Sequence, residues 1–377
     1  MSAAELPLLD ALPPIGFAAR PQAVRDRLGD RTLIVSTPSN IRWLTGFGGS
    51  LGWVVIGPDV FALVTDGRYA ERAAADLAAS GVDADVATAR TRPELRNLVV
   101  ELAAGARGAA VAEAGHLTHV AWTDFANDLA LEPDEATITS LRRVKDEGEL
   151  ARIESAAAIA DRALADVAPT LGGGLTEADV RDELEHRMRR LGADGPSYPT
   201  IVASGPDHAA RPHHETSRRR IVEGDTVIID VGSLVDGYHS DMTRSFVIGD
   251  QTPLQREIYE LVLASQLAGL DAVGPGLPAR ELDAACRQPF VDAGYGDWYL
   301  HGTGHGVGLD IHEDPFAASV STAELVVGDV VTVEPGLYRG GFGGFRIEDL
   351  VTVTPTGCRR FTHLSKDAPC LPSPPTT

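Results

Sequence analysis

Apolar residues along the first 140 positions follow two alternating patterns. Short runs such as "RTLIVSTP" and "GWVVIG…VFALVTDG" are rich in branched side chains and bounded by Gly, Pro and Asp, which predicts strands. "RYAERAAADLAAS" and "RPELRNLVVELAAGA" instead place apolar residues at helical spacing and end on small residues and glycine. Strand and helix alternating at this interval predict an open α/β layer. No glycine-rich phosphate loop follows a strand here, so nothing supports nucleotide binding.

The pattern changes near residue 138. "TSLRRVKDEGELARIESAAAIADRALADV" opens as a charged connector and continues as a long, alanine-rich amphipathic helix. A domain boundary is expected between Ile138 and Lys145, giving an N-terminal domain over 1–140 and a second over 141–365. In the second domain a further helix ("LTEADVRDELEHRMRRLG") leads into strand-rich segments. Two more helices ("PLQREIYELVLASQLAGLDAV" and "PARELDAACRQPFVDAG") lead into another set of strands. Helix, helix, strands therefore occurs twice, which points to two pseudo-equivalent halves and an α+β class. The Pro/Thr-rich stretch 366–377 is expected to be a flexible tail.

Composition narrows the function classes. A chain of 377 residues exceeds what one core usually supports, consistent with two domains. The net charge of −21 argues against a nucleic-acid or anionic-membrane partner. Cys286, Cys358 and Cys370 are too few and too scattered for a disulfide framework or a thiolate metal site, and they suit a reducing cytoplasm. No secretory signal and no membrane-spanning run is apparent, so a cytoplasmic protein is expected.

The chemistry concentrates in the second domain. In "VIIDVGSLVDGYHSDMTR", residues 227–244, two aspartates interrupt a hairpin that otherwise reads as buried. A two-residue turn at Asp236-Gly237 sets Gly232 opposite Asp241. Asp230 has the parity of Gly232, so Asp230 and Asp241 share a face as diagonal neighbours, roughly 7 Å apart by backbone. Two uncompensated carboxylates in such a setting repel one another, and a cation between them removes the penalty. A solvated face carrying acids for solubility is the alternative.

Downstream, "HGTGHGVGLDIHEDP" places His301, His305 and His312 in a glycine-rich stretch. Each glycine costs a helix about 1 kcal/mol, so this is a turn and strand where backbone passes close to a ligand, not a helical zinc motif. "VVTVEPGLY" puts Glu334 at the end of an apolar strand, and "FGGFRIEDLVTVT" puts Glu348 within another. Asp230, Asp241, His305, Glu334 and Glu348 together form an oxygen-rich set sufficient for two divalent ions. The set suits Mn²⁺ or Co²⁺ at least as well as Zn²⁺. Two such ions about 3.5–4 Å apart can bridge a water and give a hydroxide nucleophile.

The contexts "IIDVG", "SDMTR", "GTGHGVG", "VEPGLY" and "RIED", in this order, resemble the catalytic domain of the pita-bread metallopeptidases: prolidase, aminopeptidase P and methionine aminopeptidase. "NIRWLTGFGGS" and "VTDGRYAERA" are similar to the creatinase-type N-terminal domain of the first two. The resemblance implies that Asp230 chelates one ion, that His305 and Glu334 hold the other, and that Asp241 and Glu348 bridge them. It implies cleavage of Xaa–Pro bonds in short proline-containing peptides, with Mn²⁺ as the first candidate metal and a homodimer as the assembly. His213 of "ARPHHETSRRRIVEGD" matches the residue that stabilises the tetrahedral intermediate, in a loop one residue longer than usual, with His208 and His214 close by. His301 and His312 match residues that line the substrate pocket or relay protons, Arg346 one that supports the ligands, and Glu334 the proton shuttle. His312 and Tyr338 are expected in the proline pocket. The alternatives are a hydrolase of the same scaffold without proline preference (methionine aminopeptidase-like or creatinase-like) and a non-catalytic peptide-binding module. The N-terminal domain and the complete ligand set speak against them.

Overall fold

The computed structural model describes residues 9–134, 136–367 and 369–371. The chain divides into two compact units, one of residues 14–142 and one of residues 143 onward together with residues 9–13.

In the first unit six strands form one sheet, in the spatial order Asp85–Ala89, Phe61–Asp66, Trp53–Ile56, Thr32–Val35, Ala110–Ala112, Leu131–Pro133. The three central strands are antiparallel neighbours, and parallel strands extend the sheet on both sides. Ile34, Val55 and Val64 pack with Leu95, Val99 and Phe125 in its core. The helices Ala70–Ser80 and Arg92–Gly105 form where apolar spacing predicted them. Thr91 caps the second by accepting the N–H of Glu94.

The second unit repeats a helix-pair-and-sheet arrangement, which with the first unit's mixed sheet makes the chain α+β. Its first half holds the helices Glu147–Val167 and Glu177–Arg190, each started by a capping box, Asp146 with Glu149 and Thr176 with Asp179. They pack Ile159, Leu164, Leu184 and Met188 against Val227 and Ile229 of a four-stranded sheet. That sheet runs Cys370–Leu371, Thr243–Ile248, Thr226–Asp230, Ile201–Ser204. The second half pairs the helices Pro253–Ala272 and Ala279–Asp292 with a five-stranded sheet. Its order is Glu313–Ala317, Gly304–Gly306, Val330–Val333, Asp349–Thr354, Gly357–Arg360.

Two local features aim the acids and the histidine. At the hairpin tip Asp236 and Gly237 both have positive φ, 49° and 75°, as a two-residue turn of this twist requires. Pairing of Leu234 with His239 and of Thr243 with Asp230 then carries one register through the hairpin, with Gly232 opposite Asp241. At Gly304 a Cβ would lie 2.1 Å from the Thr332 carbonyl oxygen, and at Gly306 2.4 Å from that of Asp314. Only glycine on both sides of His305 lets that strand sit between its neighbours.

Residues 366, 367 and 369–371 of the expected flexible tail are held in the fold. Lys366 is buried and bonds to Asp349 and Gln266, and Cys370–Leu371 adds a parallel strand beside Thr243–Ile248. An ion pair and a sheet edge outweigh the prolines. Residues 372–377 lie outside the described residues. Among the described residues, no helix is long and apolar enough to cross a membrane.

Candidate active site

Five strands bring their acids and a histidine together in the second unit. Asp230 closes Thr226–Asp230, and Asp241 stands just before Thr243–Ile248. His305 is the middle residue of Gly304–Gly306; Glu334 follows Val330–Val333, and Glu348 precedes Asp349–Thr354. All five line one cavity of about 560 Å³. The first half of the repeat supplies the aspartates, and the second half the histidine and the glutamates.

The hydrogen bonds fix the protonation of His305. Its Nδ1 lies 3.1 Å from the Gly306 carbonyl oxygen, which can only accept, so Nδ1 carries the proton. The bare Nε2 lone pair then faces Asp241 Oδ2 at 3.6 Å and Glu334 Oε1 at 3.4 Å. Burial holds the imidazole below its ordinary pKa, so it stays neutral. A lone pair pointed at two carboxylate oxygens is repulsive unless a cation lies among them, and a histidine anchored through its other nitrogen is the usual metal-binding arrangement.

The carboxylates carry the same message. Asp241 and Glu348 have pKa values pushed well above the ordinary range, first by burial and then by their acidic neighbours. Burial raises that of Glu334 as well. Glu348 Oε2 accepts from Thr243 Oγ1 at 2.7 Å, but its Oε1 is buried with no hydrogen-bond partner. Asp241, His305 and Glu348 offer ligand atoms within 4.8 Å of one another. Mutually repelling oxygens, one orphaned acceptor and one aimed imidazole fit divalent cations by donor chemistry and by charge.

The remaining sequence candidates separate into cavity wall and support. His213 is exposed and lines both the large cavity and an adjoining one of about 320 Å³. His208 and His214 turn their ring nitrogens to Glu177, at 2.9 and 3.3 Å, and stack on each other. Of the three histidines, His213 alone borders both cavities. His312 stands on the large cavity's wall, edge-to-face with His305 at 4.4 Å between centroids. His301 lines the smaller cavity; its Nδ1 donates to the Gly302 carbonyl, so its Nε2 accepts from the Tyr338 hydroxyl at 2.9 Å. Arg346 is buried and reaches Asp230 Oδ2 at 2.6 Å, Tyr338 Oη at 3.0 Å, Thr243 Oγ1 at 3.0 Å and the Pro212 carbonyl at 2.8 Å. Tyr338 is not among the residues lining either cavity; its hydroxyl lies between Arg346 and His301, and its ring packs among Ile201, Ala203 and Ile228.

Three supporting features were not read from the sequence. Tyr198 places its hydroxyl between Asp230 Oδ1 and Asp241 Oδ1. Thr243 relays Arg346 to Glu348. Arg244, fully buried, bonds to Asp349 at 2.8 Å and to the carbonyl of Glu348, tying the aspartate-bearing sheet to the glutamate-bearing one. Thr243 and Arg244 stand in "DMTR" and their partners in "RIED", whereas Tyr198 stands in neither.

Comparison with known proteins agrees with this geometry. Residues 151–355 match the model of metallopeptidase family M24, and residues 20–160 that of the creatinase/prolidase N-terminal domain. The chain is 36% identical over 348 residues to an uncharacterized peptidase of Bacillus subtilis (strain 168), covering 90% of this chain and 96% of that one. It is 42% identical over 230 residues to the Xaa-Pro dipeptidase of Pyrococcus furiosus, an alignment covering 61% of this chain and 66% of that protein. The solved structure of the Xaa-Pro dipeptidase from Bacillus anthracis matches with a TM-score of 0.87 and 34% identity, over 93% of this chain and 98% of that one. The chain therefore belongs to metallopeptidase family M24, in its prolidase and aminopeptidase P branch.

Proposed function

We propose that the protein hydrolyses the peptide bond preceding proline in short peptides. Two divalent ions, Mn²⁺ first among them, are held by Asp230, Asp241, His305, Glu334 and Glu348. The observation that carries this reading is the bare Nε2 of His305 facing the carboxylate oxygens of Asp241 and Glu334, within a buried cluster of four acids. Oxygen donors outnumber nitrogen in the set, which favours Mn²⁺ over softer ions. When bound, such ions supply Lewis acidity, acidifying water and polarising the scissile carbonyl.

The protein's own groups do the rest. Glu334 stands on the wall of both cavities with its pKa raised by burial, suited to take a proton and return it to the leaving nitrogen. His213, bordering both cavities, is placed to donate to the carbonyl oxygen as charge develops there. Arg346 holds Asp230 through Nη2 and fixes the loop before His213 through the Pro212 carbonyl. An Xaa–Pro bond has no N–H to offer a strand-like substrate site, so recognition falls to shape. Ile201, Ile311 and Pro199 on the large cavity, and Phe316 and Pro212 on the smaller, supply apolar walls for a ring.

Hydrolysis of Ala-Pro, Ala-Pro-Ala and Ala-Ala, each with Mn²⁺, Co²⁺ or chelator, tests the assignment. At least one proline peptide is expected to be cleaved more than about tenfold faster than Ala-Ala, and chelator is expected to abolish turnover. Equal rates on Ala-Ala remove the proline preference, and full activity in chelator removes the metal. Cleavage of the dipeptide alone identifies a dipeptidase, and cleavage of the tripeptide an aminopeptidase.

A further inference from the structure

Each candidate ligand has a protein partner that orients it. Arg346 holds Asp230, Thr243 holds Glu348, Thr332 Oγ1 lies 3.3 Å from Glu334, and the Gly306 carbonyl holds His305. Asp241 is different. Among the described residues, the hydrogen-bond donor to its carboxylate is the hydroxyl of Tyr198 alone, which also reaches Asp230. The torsion that turns an aspartate carboxylate about its Cβ–Cγ bond is broad and roughly two-fold, so an outside contact is needed to select one orientation.

Tyr198 is well placed to make that selection. It lies between Ser197, whose N–H donates to the Gly232 carbonyl at 2.9 Å, and Pro199, and so rides on the hairpin that carries both aspartates. Its ring is half-buried on the wall of the large cavity. A packing role would need only the ring. The hydroxyl has one proton, set where two carboxylates of different strands converge. A carboxylate oxygen has two lone pairs, so one Oδ1 lone pair of each aspartate, and Asp241 Oδ2, stay free to face the cavity.

We propose that Tyr198 is a positioning residue of the metal centre: its hydroxyl fixes the planes of Asp230 and Asp241, and thereby sets how tightly cations are held. The inference rests on the two-metal reading above. It predicts that Tyr198→Phe weakens metal binding with little effect on turnover once metal is saturating. On chelator-treated protein, calorimetric titration with Mn²⁺ is expected to show affinity lower by about 10- to 100-fold, the range typical of lost outer-sphere partners. The Mn²⁺ concentration giving half-maximal activity should rise by a similar factor, while kcat at saturating Mn²⁺ stays within about threefold of wild type. Tyr198→Leu, which removes ring and hydroxyl together, should lose affinity to the same degree.

The outcomes separate cleanly. Wild-type affinity in Tyr198→Phe, with loss only in Tyr198→Leu, assigns the effect to ring packing and overturns the inference while leaving the metal reading intact. A phenylalanine variant whose metal-free form does not fold, by circular dichroism, also overturns it, because the hydroxyl then serves the fold. No Mn²⁺ uptake by the wild-type protein refutes the metal reading itself.

Discussion

Replacing Glu348 with glutamine is expected to abolish turnover while leaving the metal-free protein at least as stable as wild type. The two effects have one cause. Glu348 is 1% exposed, its Oε1 has no partner, and burial together with Asp241, Glu334 and Asp230 pushes its pKa far up. In the metal-free state one more negative charge here is a cost, which a neutral amide of the same shape relieves. Its Nε2 can also donate to the neighbouring carboxylates, while its oxygen keeps the bond from Thr243. With divalent ions present the balance would reverse, because a carboxylate proposed to hold them is gone. Activity should fall by more than about 100-fold, beyond the upper end of what an outer-sphere partner costs. Thermal melts read the other half. In chelator the variant should melt at or above wild type. In Mn²⁺ at about a hundred times its Kd, wild type should gain roughly 2.7 kcal/mol that the variant largely lacks. A variant that melts well below wild type in chelator would show that the cluster is not frustrated. Substantial residual activity would remove Glu348 from the ligand set.

That frustration explains why the centre was legible in sequence. Polar residues within apolar strands stand out because burial without compensation is expensive, and Asp230, Asp241, Glu334 and Glu348 each break such a run. The hairpin register was equally readable, since a two-residue Asp-Gly turn admits few alternatives. Helices were readable from the spacing of their apolar residues. Partners from distant segments were not legible. Tyr198 in "PSYPT" reads as an ordinary strand aromatic, and its meaning depends on a hydroxyl reaching residues 32 and 43 positions away. The contacts of Tyr338 were equally hidden, because its hydroxyl meets Arg346 and His301 from other segments. The start of the expected tail was misread because composition reports prolines, not the buried Asp349 that draws in Lys366 from 17 residues away.

The cluster around Glu177 was equally hidden, and it yields the second large effect. The carboxylate is fully buried at the start of Glu177–Arg190 and accepts from the backbone N–H and hydroxyl of Ser204, from the N–H and hydroxyl of Ser217, and from His208. Burial alone would raise its pKa; these donors outweigh it and bring the value down to about 2. The folded pKa thus lies below the unfolded one. The associated stability is present in full above the unfolded pKa of 4.5 and is lost as pH falls toward 2. Discounted for screening by solvent near the partly exposed His208, it amounts to about 2 kcal/mol. Glu177→Gln sets an amide N–H₂ against donors it cannot satisfy, so a loss of about 3 kcal/mol is expected at neutral pH. Urea unfolding across pH should show the gap between the two proteins shrinking by about 1 kcal/mol between pH 6 and pH 3.5, because only wild type has that carboxylate to titrate. A pH-independent gap would mean that shape, not charge, is what Glu177 contributes. The site should feel the change as well. The residues on either side of His213 are held by Arg346 at the Pro212 carbonyl and by Glu177 at the His214 ring. Loosening one of those ties lets His213 move off the wall shared by the two cavities. kcat/KM should therefore fall even where the variant remains folded, and His213→Ala added to Glu177→Gln should cost less than it does in the wild-type background.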